Sequence, residues 1–200
     1  MFRNILQSES IKFITNPWCL IGMLSAVAFA GLKNGMYLGQ AGLVITSSVF
    51  IGQEYRNLEL RTSLLTAPAR LKLFGAKLFL LTFVTWITGL TSFLIAREHF
   101  SLMILLSWTF IVWLSAFISM ITRSQVVPLT ILFSLILGFS QMLFSFFKIA
   151  KYLPDLATMN LFLVQPHKNM LNPTQGLLVQ LVWVLVLSFL ALIVQARDLK

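Results

Sequence analysis

The chain has 200 residues, 58% of them hydrophobic and only 10% charged, with 15 Lys or Arg, 6 Asp or Glu and a formal net charge of +9. A soluble domain carries about 25% charged residues, so this composition excludes an ordinary soluble fold and marks an integral membrane protein. The basic residues lie in short stretches between apolar runs, where they orient a chain in the bilayer; the positive charge therefore does not point to nucleic acid.

In chain order, Asn16 before Pro17 predicts a helix N-cap followed by proline at the first helical position. It opens a first span, PWCLIGMLSAVAFAGL, that runs on toward Tyr37. Arg3, the apolar run and AFA at 28–30 have the outline of a secretory signal, but the polar lead is long and contains Glu9, so a retained span is expected. The single cysteine, Cys19, excludes an intramolecular disulfide and a cysteine metal cluster. Further spans of about 20 apolar residues are expected over 37–52, 78–96, 100–121, 126–147 and 174–196. Pro128 falls in the first turn of the fifth, where its missing N–H costs little, and Asn172–Pro173 repeats the capping signal at the sixth. The fold class expected is thus an all-α membrane protein with six transmembrane helices, and no soluble domain of ordinary size fits in the remainder.

Lysine and arginine counts set the orientation. The five cations Lys33, Arg97, Lys148, Lys151 and Lys168 fall on the side away from the N-terminus, and the other ten fall on the N-terminal side. This places both termini in the cytoplasm, together with the connector 54–77.

That connector, EYRNLELRTSLLTAPARLKLFGAK, carries seven of the charged residues. Residues 54–65 can continue the second span as a helix with Tyr55, Leu58, Thr62 and Leu65 on one side. Thr66 can cap a second short helix with Pro68 in its first turn. The product is a helix–turn–helix at the membrane face, apolar on one side and charged on the other. Such a hairpin either binds anionic lipid headgroups or docks a cytoplasmic partner.

The connector resembles the one between spans 2 and 3 of the ABC type-two permeases, the bacterial drug and polysaccharide exporter class. Their pattern runs E-Y-x-x-G-T-x-R-x-x-L-x-x-x-P-x-R, with a lysine seven residues later. Glu54, Tyr55, Arg61, Leu64, Pro68, Arg70 and Lys77 match it, whereas Leu58 and Glu59 replace the Gly-Thr pair. SESIKFITNPW, 8–18, is similar to that family's amphipathic elbow helix through Ser8, Glu9 and Lys12, and QARDLK resembles its R-D-L terminus. Residues 148–172 stand where the family has short re-entrant helices on the outer face. The resemblance covers the whole chain in order. It implies a single permease domain over 1–200, with an elbow helix over 1–16, a coupling helix within 54–77 and an outer re-entrant segment over 148–172.

The resemblance also implies a bacterial plasma-membrane exporter in which two permease chains, as homodimer or related heterodimer, pair with two copies of an ABC ATPase. Arg56, Arg61, Arg70 and Lys72 are the candidate polar contacts to that ATPase, Tyr55 and Leu64 the apolar ones, and Glu54, Pro68 and Lys77 complete the motif. No GxxxxGK[ST] loop occurs in this chain, so ATP and Mg belong to the partner and no cofactor, catalytic group or metal is expected here. Gln40, Gln141 and Gln180 are the main polar groups within the spans. They either hydrogen-bond between helices or line a substrate path. An ion-coupled secondary transporter is the first alternative, disfavoured by an absence of confidently buried ionisable residues from the spans. A non-transporting immunity or scaffold protein is the second. His99 and His167 lie in separate loops with no metal-ligand spacing, and an intramembrane hydrolase lacks a base to pair with its serines.

Overall fold

The structure, a computed structural model, describes residues 2–32, 35–56, 70–97, 100–163 and 167–197. It is all-helical, with no strand among the described residues. Among the described residues, four helices are long and apolar enough to cross a membrane, Lys72–Ala96, Leu102–Thr122, Val126–Phe146 and Pro173–Gln195; the bent pair Arg3–Thr15 and Pro17–Ala30 makes a fifth if it counts as one span.

The first two helices, α1 (Phe2–Thr15) and α2 (Pro17–Ala30), meet at a 74° bend. Asn16 makes the bend: its side chain accepts from the Trp18 N–H at 3.0 Å and Pro17 takes the first helical position, as the local sequence predicts. α2 ends at Ala30, earlier than the sequence suggested, and Gly31 closes it by donating to the Val27 carbonyl. Its 14 residues reach only about 21 Å, short of the ~30 Å hydrocarbon core.

The next helix, α3 (Met36–Arg56), is long enough at 21 residues. It carries Gln40, Thr46, Ser47, Ser48 and Gln53, however, and is not among the four most apolar helices. Polar groups suit it because it is largely enclosed by protein. Ser47 donates to the Val112 carbonyl at 2.9 Å and Ser48 pairs with Ser115 at 2.8 Å.

The fourth helix, α4 (Arg70–Ala96), has 27 residues. The sequence placed residues 70–77 in a separate short helix, but they form the first two turns of α4 itself. No proline interrupts the run after Arg70, and Gly75 alone does not break it. α5 (Leu102–Thr122) is the most enclosed of the four apolar helices, and Arg123 ends it in the left-handed conformation, φ 52°. The fifth predicted span is broken into α6 (Val126–Ser134), a π turn (Leu135–Phe139) and α7 (Ser140–Phe146). The break centres on Gly138, whose φ of 123° is a conformation that side-chain-bearing residues rarely adopt. Two 3₁₀ turns, Lys148–Tyr152 and Leu156–Leu161, lead to the last helix, α8 (Pro173–Arg197).

Candidate functional site

Two buried polar nodes stand at opposite ends of α3, one at Tyr37 and the other at Glu54. They are 17 residues apart, or about 25 Å along the helix axis.

The node at Glu54 sits at the mouth of the 54–77 connector. On α1, Ile5, Glu9 and Phe13 recur every fourth residue and form one buried stripe. Ile5 packs against Leu73 and Ala76 of α4. Phe50 and Glu54 repeat the same spacing on α3, and Phe13 meets Phe50 edge-on with ring centroids 5.2 Å apart. Lys77 of α4 enters between the two carboxylates. Its Nζ lies 2.5 Å from Glu9 Oε2, 3.1 Å from Glu54 Oε1 and 4.3 Å from the Phe50 ring centroid. Lys12 closes the cluster at 2.8 Å from Glu9 Oε1 and 3.6 Å from Glu54 Oε1. Among the described residues two lysines thus face two glutamates, and Glu9, Glu54 and Lys77 are all 1% exposed or less. Asn16 hydrogen-bonds Gln53 beside the cluster, tying the α1–α2 bend to α3. Burial pushes the Glu9 carboxyl up, but Lys77 and Lys12 outweigh it and hold it below its ordinary range.

The node at Tyr37 gathers around Asp155, which is fully buried. Asp155 Oδ2 accepts from Tyr37 Oη at 3.1 Å and from Ser140 Oγ, so one carboxylate ties α3 to the first residue after the π turn. Thr158 Oγ1, one turn on, accepts from Ser107 Oγ of α5 at 3.1 Å and from Gln180 Nε2 of α8 at 3.3 Å. Gln180 also donates to the Pro154 carbonyl at 2.8 Å. Residues 154–158 are therefore clamped to α3, α5, α7 and α8. Burial raises the Asp155 carboxyl above its ordinary range, against the opposing pull of the Ser140 and Tyr37 hydrogen bonds.

Asp155→Ala leaves the Tyr37 and Ser140 hydroxyls without their acceptor and is expected to cost about 1–3 kcal/mol, read as a lower melting midpoint in detergent. A carboxyl with a raised folded value stabilises the fold fully below its unfolded value and loses that contribution as pH rises through the folded one. Asp155→Asn should therefore flatten a decline in stability that the parent shows from pH 4 upward. An identical pH profile in parent and Asp155→Asn would rule this node out as its source.

The residues singled out in the connector separate into groups. Glu54 and Lys77 come together but face inward, into the ion cluster. Tyr55 is half-buried, and Lys72 is exposed on the first turn of α4. The backbone of Arg56 ends α3 and that of Arg70 begins α4; their side chains, and all of Arg61, Leu64 and Pro68, lie outside the described residues. The three glutamines do not form one lining. Gln40 is enclosed within α3, Gln180 belongs to the Asp155 node, and exposed Gln141 reaches only the Met159 sulfur at 3.9 Å.

Glu54 and Lys77, which the sequence puts in the connector just outside the spans 37–52 and 78–96, belong to α3 and α4 and are buried there. The sequence reading passed over Asp155, Tyr37 and Ser140. Its available signal was a lone acid in an otherwise apolar stretch, YLPDLATMN. No group of three or more His, Cys, Asp or Glu able to hold a metal occurs among the described residues. The carboxylates at the Glu54 node face lysines, so the arrangement is a mechanical tie between helices. Comparison of the chain with protein families, with curated proteins and with solved structures returns no match.

Proposed function

We propose that the chain is the membrane-spanning permease subunit of an ATP-driven ABC exporter in the bacterial plasma membrane. It pairs with a second permease chain and couples to two copies of a separate ATPase that supplies ATP and Mg chemistry. In this reading the polypeptide crosses the bilayer six times with both termini in the cytoplasm. The bent α1 is the elbow helix, connector 54–77 the coupling helix and residues 148–172 the outer re-entrant segment.

One observation carries the reading beyond the sequence pattern: Lys77 bridges Glu9 and Glu54. The helix entering the connector and the helix leaving it are thereby fastened to each other and to α1. A connector pushed by a partner would otherwise hinge freely at its two ends. With its base locked, the push moves α1, α3 and α4 as one body and passes into the bundle. Glu54 and Lys77 then act as positioning residues beneath the coupling surface, and Arg56, Arg61, Arg70 and Lys72 remain its polar contacts, with Tyr55, Leu64 and Pro68 shaping it.

Recovery of the tagged protein from native membranes is expected to bring down an ATPase subunit. Charge reversal in Arg61→Glu or Arg70→Glu should lower cargo-stimulated hydrolysis about tenfold or more, the loss of one or two charge-assisted contacts, with insertion unchanged. Recovery without any ATPase, or full coupling in both variants, refutes the assignment. An ion-coupled transporter draws support from one feature, the buried Asp155 beside the break between α6 and α7. Transport abolished by a protonophore at constant ATP would favour it.

A further inference from the structure

A cavity of about 690 Å³ opens beside the 3₁₀ turn Lys148–Tyr152, at the end of the bundle away from the connector. Three of its lining residues are Lys148, Lys151 and Lys168, and no acid is among the described ones. The convergence has a local cause. In a 3₁₀ turn, side chains at i and i+3 eclipse one another, so Lys148 and Lys151 leave the same edge. Lys168, from the approach to α8, lines the same cavity. No ion pair within 4.0 Å among the described residues neutralises any of the three, and the Lys151 ammonium instead lies 5.2 Å from the Tyr152 ring centroid. Asn172 and Gln175 also line the cavity, at the first turn of α8, where the helix dipole adds partial positive charge.

The chain's acids are few, and the described acid nearest in sequence, Asp155, is turned inward to Tyr37 and Ser140. Three cations held around one cavity, with no counterion among the described residues, repel one another, and a multivalent oxyanion relieves that repulsion while accepting several N–H donors at once. Phe144 and Phe146 border the same cavity, and Phe146 is 70% exposed. Aromatic side chains beside the lysines match an acyl chain ending in a phosphate.

We propose that this cavity binds a phosphate group, carried by an anionic lipid headgroup or free in solution, through Lys148, Lys151 and Lys168. The aromatic border favours the lipid. This site is separate from the connector and does not rest on the proposed coupling role.

The test uses full-length protein in a neutral detergent, titrated with dioctanoyl phosphatidylglycerol, dioctanoyl phosphatidylcholine and inorganic phosphate. The parent should bind phosphatidylglycerol more tightly than phosphatidylcholine, with affinity falling as NaCl rises. K148Q/K151Q/K168Q should lose about tenfold or more, since exposed pairs contribute modestly one by one and add over three. K148R/K151R/K168R should keep binding, and both triple variants should melt with the parent, which separates lost charge from lost fold. Competition by inorganic phosphate extends the site to the free anion; phosphatidylglycerol binding without that competition assigns it to the headgroup. Equal affinity for the two lipids, or unchanged binding in the glutamine variant, overturns the proposal.

Discussion

Lys77→Met is expected to destabilise the bundle by about 3–5 kcal/mol, because it leaves Glu9 and Glu54 buried without their shared cation. The side chain it removes is fully enclosed, 2.5 Å and 3.1 Å from the two carboxylates. Lys12 remains, but it sits farther from Glu54, at 3.6 Å, and is partly solvated. Two buried carboxylates that lose their shared cation are driven to take up a proton or to separate, and separation unfastens α1 from α3. The all-neutral variant Glu9→Gln/Glu54→Gln/Lys77→Met should recover most of the loss, since a buried ion cluster contributes little net stability beside polar groups of similar shape.

Acid separates this account from simple packing loss. Glu9 is held below its ordinary value of 4.5, so its contribution is present above the unfolded value and disappears as pH falls through the folded one. Removing Lys77 takes away the main cation holding it down, and the acid limb of the stability curve should move to higher pH. Melting midpoints measured from pH 3 to pH 7 in detergent test this. A Lys77→Met protein as stable as its parent, with the same acid limb, would sink the ion cluster as a structural tie. Full stability of the all-neutral variant with lost ATPase coupling would instead assign the cluster to force transmission alone.

What the sequence reveals of this site depends on how local each signal is. The cap at Asn16 involves neighbours two residues apart and is legible from Asn-Pro alone. So are the apolar runs, since one residue's hydropathy needs no partner. The early start of α4 at Arg70 is less legible, because charged residues at 70, 72 and 77 look like a surface loop until Lys77 is seen to be enclosed. The ion cluster is a tertiary fact. Glu9, Glu54 and Lys77 could each be picked out within a motif, yet only the bend at Asn16 carries α1 back across α4 so that they meet. The i, i+4 pairs Glu9–Phe13 and Phe50–Glu54 were the one trace of it in the primary structure. The break at Gly138 left no such trace, because glycine also occurs inside unbroken membrane helices. Asp155 looked like a loop acid, and its role follows from burial among hydroxyls donated by helices more than a hundred residues apart.

Gly42→Leu should prevent the native bundle from forming, and Gly42→Ala alone should cost about 1–3 kcal/mol. α2 and α3 touch through small residues: Gly22 and Ala26 on one helix, Gly42 and Thr46 on the other. A methyl group on Gly42 would overlap the Ala26 backbone nitrogen and sit 2.6 Å from the Gly22 carbonyl oxygen and 2.7 Å from Ala26 Cα. All three are backbone atoms, so no side-chain rotation relieves the clash and the helices themselves must part. Parting them also strips the Thr46 hydroxyl, 3.3 Å from the Cys19 carbonyl, of that contact across the interface. Lipid offers no hydrophobic drive to bring them back, since association within a membrane rests on close packing and such hydrogen bonds. The consequence extends to the connector: Glu54 lies 12 residues further along α3, about 18 Å away, and Asn16 and Gln53 join the same two chain segments there. A wedge at Gly42 therefore loosens the base that Lys77 locks. Gly75→Ala is the matched control. Nothing lies within 4 Å of a methyl group there, and alanine should hold or raise the midpoint by up to about 1 kcal/mol through helix propensity. Size-exclusion thermostability of the three variants decides the matter: a Gly42→Leu protein that melts with its parent, or a Gly75→Ala protein that falls with Gly42→Ala, means that α2 and α3 do not pack as described.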